Sequence, residues 1–404
     1  MMPANGVLKR ESRQDMKKNS LVLLPILFGF FVMGFADIIS TALIRIEEEC
    51  HLSTFAAAVL PMMIFVWFLL ISIPTGILCG KIGRKNTVLC SLFMTVFAMF
   101  LPFAATAERW WIYAISFAFL GIGNTMIQAA LPALMSNVVE QDKLTSRISL
   151  GQFVKALCAA GTPVIALFCA EQLGNWKYLF LVYGVLTFVS AAWIACSPIP
   201  REESSSVPPS FLSCVRQLAN PYILMMVVGV FFSVAADIGF AVGIPEYLRD
   251  VFKVPTDKAA TGPAVYFTAK MLAAFAGSII FARISAAKYF PWSVGLAVLS
   301  TVGIFFAPSP LVFFVLVFLA SFGFANTFGM CMGLAINRRP ERTNEISALV
   351  VMAISGGGLV KVAFGSLKGT LGPAGIVWTL LACLLYLLIL GIFASVSATS
   401  KNHK

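Results

Sequence analysis

Asp37, Lys155, Asp237, Lys270 and Lys361 stand inside stretches that are otherwise apolar. On insertion scales a charge at a lipid-exposed helix centre costs about 2.5–3.5 kcal/mol. Such a residue persists where it faces a bundle interior or a wet cavity. Two chemistries suit these five. A carboxylate that alternates between a wet setting and a paired one loads and releases a proton. Asp37, in "FFVMGFADIIS", is expected to do this, and Asp237, in "FFSVAADIG", is the second proton-coupling candidate. Asp237 is also expected to pair with Lys270, because the two charges offset each other's burial only while together. Three lysines against two aspartates leave one positive charge over. That surplus suits an anionic solute attracted to Lys155 or Lys361.

Neutral polar side chains extend the set. Asn124 and Gln128 are four apart and share a helix face, and Gln152 and Lys155 are three apart. Amides both donate and accept, which suits sugar hydroxyls. The same groups also serve as hydrogen bonds between helices. Asn326 and Trp67 are the remaining candidates for the wall of a cavity. The expected substrate-binding residues are therefore Trp67, Asn124, Gln128, Gln152, Lys155, Lys270, Asn326 and Lys361.

Composition narrows what these residues serve. The chain has 404 residues, of which 59% are hydrophobic and 12% charged. A soluble protein carries about 25% charged residues. His51 and His403 are the only histidines. No HExxH, no GxxxxGK[ST] and no GxGxxG after a strand occurs, so metal hydrolysis and nucleotide-driven pumping lack their residues. No nucleophile–base set can be assembled, and neither metal nor cofactor nor enzymatic activity is expected. The nine cysteines lie mostly in apolar blocks without a CxxC pair and read as packing residues. The net charge of +11 comes without a basic face interleaved with aromatics, so it points to membrane lipid and not to nucleic acid.

The elements that position these residues are long apolar blocks. Twelve fall at about 21–43, 56–78, 88–106, 111–135, 147–170, 177–196, 221–246, 262–283, 291–308, 311–335, 347–368 and 373–396. Each suits a helix that crosses a bilayer, which needs about 20 apolar residues. The first has no cleavage site and reads as a retained span. A Pro/Ser-rich segment between the sixth and seventh blocks splits the chain, giving expected units at 1–196 and 221–404 with a linker at 197–220. Alternate loops carry nineteen Lys and Arg on one side and seven on the other, which predicts both termini in the cytoplasm. The halves also repeat. Asp37 falls on Asp237, "GIGNT" at 121–125 on "GFANT" at 323–327, and Lys81 on Arg283, at offsets of 200 to 202. Duplicated halves around a site near the midplane are a transporter architecture. The expectation is an all-α membrane protein of twelve spans in two pseudo-symmetric six-helix bundles.

At the next level the sequence resembles the major facilitator superfamily. "GILCGKIGRKN" is similar to that family's loop motif between spans two and three, with matches at Gly76, Lys81, Gly83, Arg84 and Lys85 and with Gly80 at the acidic position. Within the family, "GFADI", "GIGNTMIQAALPAL", "GQFVKA", "AADIGFAVGIPEYL", "VYFTAKMLAAFAG" and "SALVVMAISGG" resemble the fucose–galactose–gluconate:proton symporter group of bacterial sugar permeases. The resemblance implies uptake of a sugar with H+; a hexose or deoxyhexose is the expected solute, and a monomer in the bacterial inner membrane is the expected form. Asp37 matches the group's functional aspartate, and Asn124 stands where its span-four glutamate is found. Three alternatives remain open: an anionic sugar acid as substrate, Na+ in place of H+, and a drug or metabolite exporter of the same fold. A membrane sensor without flux is the reading from another class.

Overall fold

A computed structural model describes residues 22–52, 54–200, 210–255, 259, 262–356 and 371–402. The described chain is helical, with no strand among these residues. Apolar side chains are abundant on the outside: Phe93, Phe188, Leu299 and Phe306 are each more than three-fifths exposed. A surface of that kind suits lipid, and a helix satisfies its own backbone groups there.

The first apolar block folds as α1 (Val22–Asp37) followed by α2 (Ile38–Cys50). The last turn of α1, Gly34–Asp37, tightens to a 3-10 helix. The next six helices are α3 (Thr54–Ile82), α4 (Arg84–Phe100), α5 (Trp111–Met135), α6 (Leu144–Gln172), α7 (Tyr178–Cys196) and the short linker helix α8 (Phe211–Gln217). The second half contains α9 (Pro221–Asp250), α10 (Pro263–Ile280), α11 (Ala286–Ile304), α12 (Pro310–Phe324), α13 (Thr327–Arg338), α14 (Thr343–Met352) and α15 (Ala374–Asn402). Among the described residues, eight helical segments are each long and apolar enough to cross a membrane, and α3, bent in two, makes a ninth. The tenth block is α12 and α13 joined through Ala325 and Asn326. Lys361 lies outside the described residues.

Prolines set the bends. α3 turns by 55° between Val59–Leu70 and Ser72–Ile82. Pro74 has no N–H for the Leu70 carbonyl, and its ring crowds that carbonyl. Hydroxyls take up neighbouring carbonyls at the bend. Thr75 Oγ1 donates to Ile71 O at 2.8 Å and Ser72 Oγ to Phe68 O at 2.5 Å.

Within the first half, α3, α4 and α5 pack on one another and α4 packs on α7. In the second, α11 packs on α12 and α15, and α9 on α13 and α15. Across the halves, α6 meets α10 and α13, and α14 meets α3 and α5. Hydrogen bonds that join the halves gather at the end carrying the basic loops. Ser146 Oγ donates to Ser278 O at 2.6 Å, Ser347 Oγ to Ala129 O at 2.5 Å and Asn337 Nδ2 to Gln141 O at 2.9 Å.

Candidate functional site

Asp37 sits where the first span changes from 3-10 to α geometry, a kind of break that often marks a functional site. Gly34 lets this turn press on α6. A Cβ on Gly34 would lie 2.8 Å from Lys155 O and 2.9 Å from Cys158 Cβ. Asp37 lies midway along the span, with its side chain accessible and yet surrounded by protein, as suits a group between helices and not one turned to lipid. The charges that act on it are Lys155 from its own half and Lys270 and Asp237 from the other. An accessible Asp37 that feels charges from both halves lies between them, together with Lys155, Asp237 and Lys270.

The second aspartate is held differently. Lys270 Nζ donates to Asp237 Oδ1 at 2.6 Å, and the Tyr266 hydroxyl donates to the same oxygen. Lys270 also lies 6.0 Å from the centre of the Tyr266 ring. Asp237 and Lys270 are each about one-third exposed, and Tyr266 is buried. The pair expected between spans seven and eight is therefore present, with a third member that sequence reasoning missed. The available signal was spacing: Tyr266 precedes Lys270 by four and shares its helix face.

The neutral polar candidates divide into two kinds. Trp67 Nε1, Asn124 Oδ1 and Gln152 Nε2 are buried without a hydrogen-bond partner among the described residues. Leaving such a group unpaired costs about 1–3 kcal/mol, so these atoms are suited to a ligand's hydroxyls. Trp67 packs on Gly121, one turn before Asn124, and Gln128 is buried one turn further along α5. Asn326 instead donates from Nδ2 to Ala273 O at 2.7 Å and packs on Gly277, tying α12 and α13 to α10.

The loop motif closes the basic end. Gly83 has a φ of 92°, which a residue with a Cβ rarely adopts, and it turns the chain from α3 into α4. Gly76 allows α3 to touch α14; a Cβ there would lie 2.7 Å from Ala348 Cβ and 2.9 Å from Asn344 O. Arg84 is buried. Its Nε donates to Asn344 Oδ1 at 2.7 Å, and its Nη1 donates to Ala133 O and Ser136 Oγ at 3.0 Å and to Asn137 Oδ1. Lys85 Nζ donates to Ala195 O and Ser197 O at 2.9 Å, where the carbonyls ending α7 carry partial negative charge. Lys81 is exposed. Gly80 offers no carboxylate, and Asn344 supplies the acceptor across the halves.

The sequence profile of the Major Facilitator Superfamily matches residues 26–362. The chain belongs to that superfamily. It is a multi-pass membrane transporter and not an enzyme. Among relatives of this superfamily, a "Glucose/galactose transporter" of Brucella abortus is 21% identical over 420 residues, covering 98% of this chain and 99% of the relative. A structure of the Escherichia coli fucose:proton symporter FucP superposes with a TM-score of 0.81 at 18% identity, covering 92% of this chain and 98% of that one. A FucP structure in the outward conformation superposes with a TM-score of 0.83 at 17% identity, covering 94% and 99%. At these identities the likeness to the solved structures is one of fold.

Proposed function

We propose that this superfamily member imports a hexose or deoxyhexose together with H+ by alternating access. The observation that carries the reading is the exposure of Asp37 deep between the halves, beside Lys155 and facing Asp237 and Lys270. A carboxylate so placed exchanges protons with water while the passage is open. When the halves close over it, a lysine or a proton must neutralise it, because an unpaired buried charge is costly. Asp237, already bonded to Lys270 and Tyr266, is proposed to respond to Asp37 through the charge they share across the passage. Trp67, Asn124, Gln128, Gln152 and Lys155 are proposed to hold the solute, with the unpaired polar atoms of Trp67, Asn124 and Gln152 meeting its hydroxyls.

The whole-length likeness to a glucose/galactose transporter and the shared fold with a fucose:proton symporter support this solute class. The units 1–196 and 221–404 are proposed to rock about the linker at 197–220. Both termini and the closed end are proposed to face the cytoplasm of a bacterial inner membrane, a reading that the excess of basic residues on that side supports, and the present arrangement is then outward-facing. The protein is proposed to work as a monomer.

Purified protein in liposomes tests the reading. Addition of the transported sugar is expected to alkalinise the external medium, with no dependence on Na+. Asp37→Asn is expected to abolish accumulation against a gradient while sugar exchange at equilibrium persists. Accumulation that survives the substitution would overturn the role of Asp37. A second reading, an anionic sugar acid, rests on Lys155 and Lys270 both acting on this site. It predicts that gluconate or galacturonate, and not the parent hexose, drives the pH change.

A further inference from the structure

A cavity of about 680 Å3 lies at the basic end, away from the Asp37 site. Its wall contains Arg216 from α8 and Arg339 and Arg342 from the turn between α13 and α14, with Leu212 and Asn220 beside them. Among the described residues, no carboxylate lines it. Arg339 Nη1 donates to the neutral amide of Gln217, whose Oε1 lies 3.1 Å away. Arg342 Nη1 pairs with Glu345 at 3.0 Å, behind the wall. Arg216 is exposed. Three guanidinium groups against one neighbouring carboxylate make an anion site, and the planar fork of arginine matches phosphate oxygens.

The apolar surface beside the cavity decides the kind of phosphate. Phe211 is 63% exposed and Leu212 74%, although α8 buries Cys214 and Gln217 against the protein. A free phosphate ion makes no use of such a surface, whereas acyl chains cover it. Exposed apolar side chains next to basic ones, as Phe211 and Leu212 beside Arg216, suit the boundary between head groups and acyl chains. Basic pockets between helices on that side hold anionic head groups. From the cavity, its arginines and the apolar flank together, we infer that this is a binding site for the phosphate head group of an anionic phospholipid. The lipid's chains lie along Phe211 and Leu212. Because α8 packs on α3 and α14, the bound lipid bridges the two halves at their closed end.

Native mass spectrometry of the full-length protein tests this, with dioleoyl phosphatidylglycerol, dioleoyl phosphatidylcholine and inorganic phosphate as probes. The protein is expected to retain phosphatidylglycerol in preference to phosphatidylcholine. Loss of one charged hydrogen-bonding partner lowers affinity about tenfold, so Arg216→Gln is expected to reduce phosphatidylglycerol retention by about that factor and leave phosphatidylcholine unchanged. Arg283→Gln, an exposed arginine outside the cavity, is expected to have no effect. Thermal unfolding supplies a second readout, in which phosphatidylglycerol raises the Tm of the native chain by more than that of the Arg216→Gln protein. Equal retention by native, Arg216→Gln and Arg283→Gln proteins would overturn the site. Displacement of the lipid by an equimolar amount of inorganic phosphate would overturn its assignment to lipid.

Discussion

Asp37 and Asp237 occupy the same place in the repeat, yet their surroundings differ. Asp237 shares one oxygen between Lys270 and Tyr266, whereas Asp37 is reached by solvent with Lys155 close by. Removing one partner of a fully buried ion pair costs about 3–5 kcal/mol, and far less when the pair is exposed. At one-third exposure, Lys270→Met is expected to cost about 2 kcal/mol, read as a lower midpoint in thermal unfolding. Adding Asp237→Asn is expected to restore most of it, since no carboxylate is then left unpaired. A double-mutant cycle without coupling would remove the pair's structural role. Outside the spans, burial pushes the Cys214 thiol up to about 11. Only the thiolate reacts, so at pH 8 about one thiol in a thousand is reactive. Alkylation by N-ethylmaleimide at pH 8 in detergent is expected to mark the exposed Cys90 and Cys196 and to spare Cys214 while α8 stays docked.

At the scale of elements, closure at the basic end depends on α3 lying against α14. Gly76 sets that distance, and Arg84 ties the two through Asn344. Overpacking costs about 1–3 kcal/mol, enough to shift a two-state balance by about tenfold. Gly76→Val is therefore expected to favour the arrangement open at this end. Spin labels at Lys81→Cys and Arg283→Cys, in a chain cleared of its native cysteines, read the change as a longer distance by electron–electron resonance. An unchanged distance would show that α3 and α14 absorb the extra methyl groups by repacking. The repeat was legible in "GIGNT" and "GFANT", but the two copies act differently. Span four is one unbroken helix whose Asn124 Oδ1 has no partner among the described residues, whereas span ten breaks at Asn326, which bonds to Ala273. The short pattern records ancestry, and the helices packed against each copy decide its use.

For the whole molecule, the bonds between halves lie at one end and the accessible charges lie between the halves. A ligand moves such a balance only by binding one arrangement better than the other. A transported sugar is expected to populate the arrangement open at the basic end, lengthening the same label-to-label distance in the native background. A solute that leaves the distribution unchanged at saturation is not the substrate.

The sequence by itself determined the membrane-spanning character, the repeat, the basic side and the identity of the charges. These follow from local composition and from distances along the chain. Only the tertiary structure decided that Tyr266 joins the Asp237–Lys270 pair, that Asp37 faces Lys155 and the opposite half, that Asn326 bonds within its bundle, and that closure falls at the loop motif. In each case the partners are separated by tens to hundreds of residues, and hydrophobic periodicity states which face of a helix is apolar without stating which helix it meets. The Pro74 bend, the Gly34 turn and the close approach at Gly76 make those choices, by fixing where backbones touch and leaving the ionisable side chains the space between.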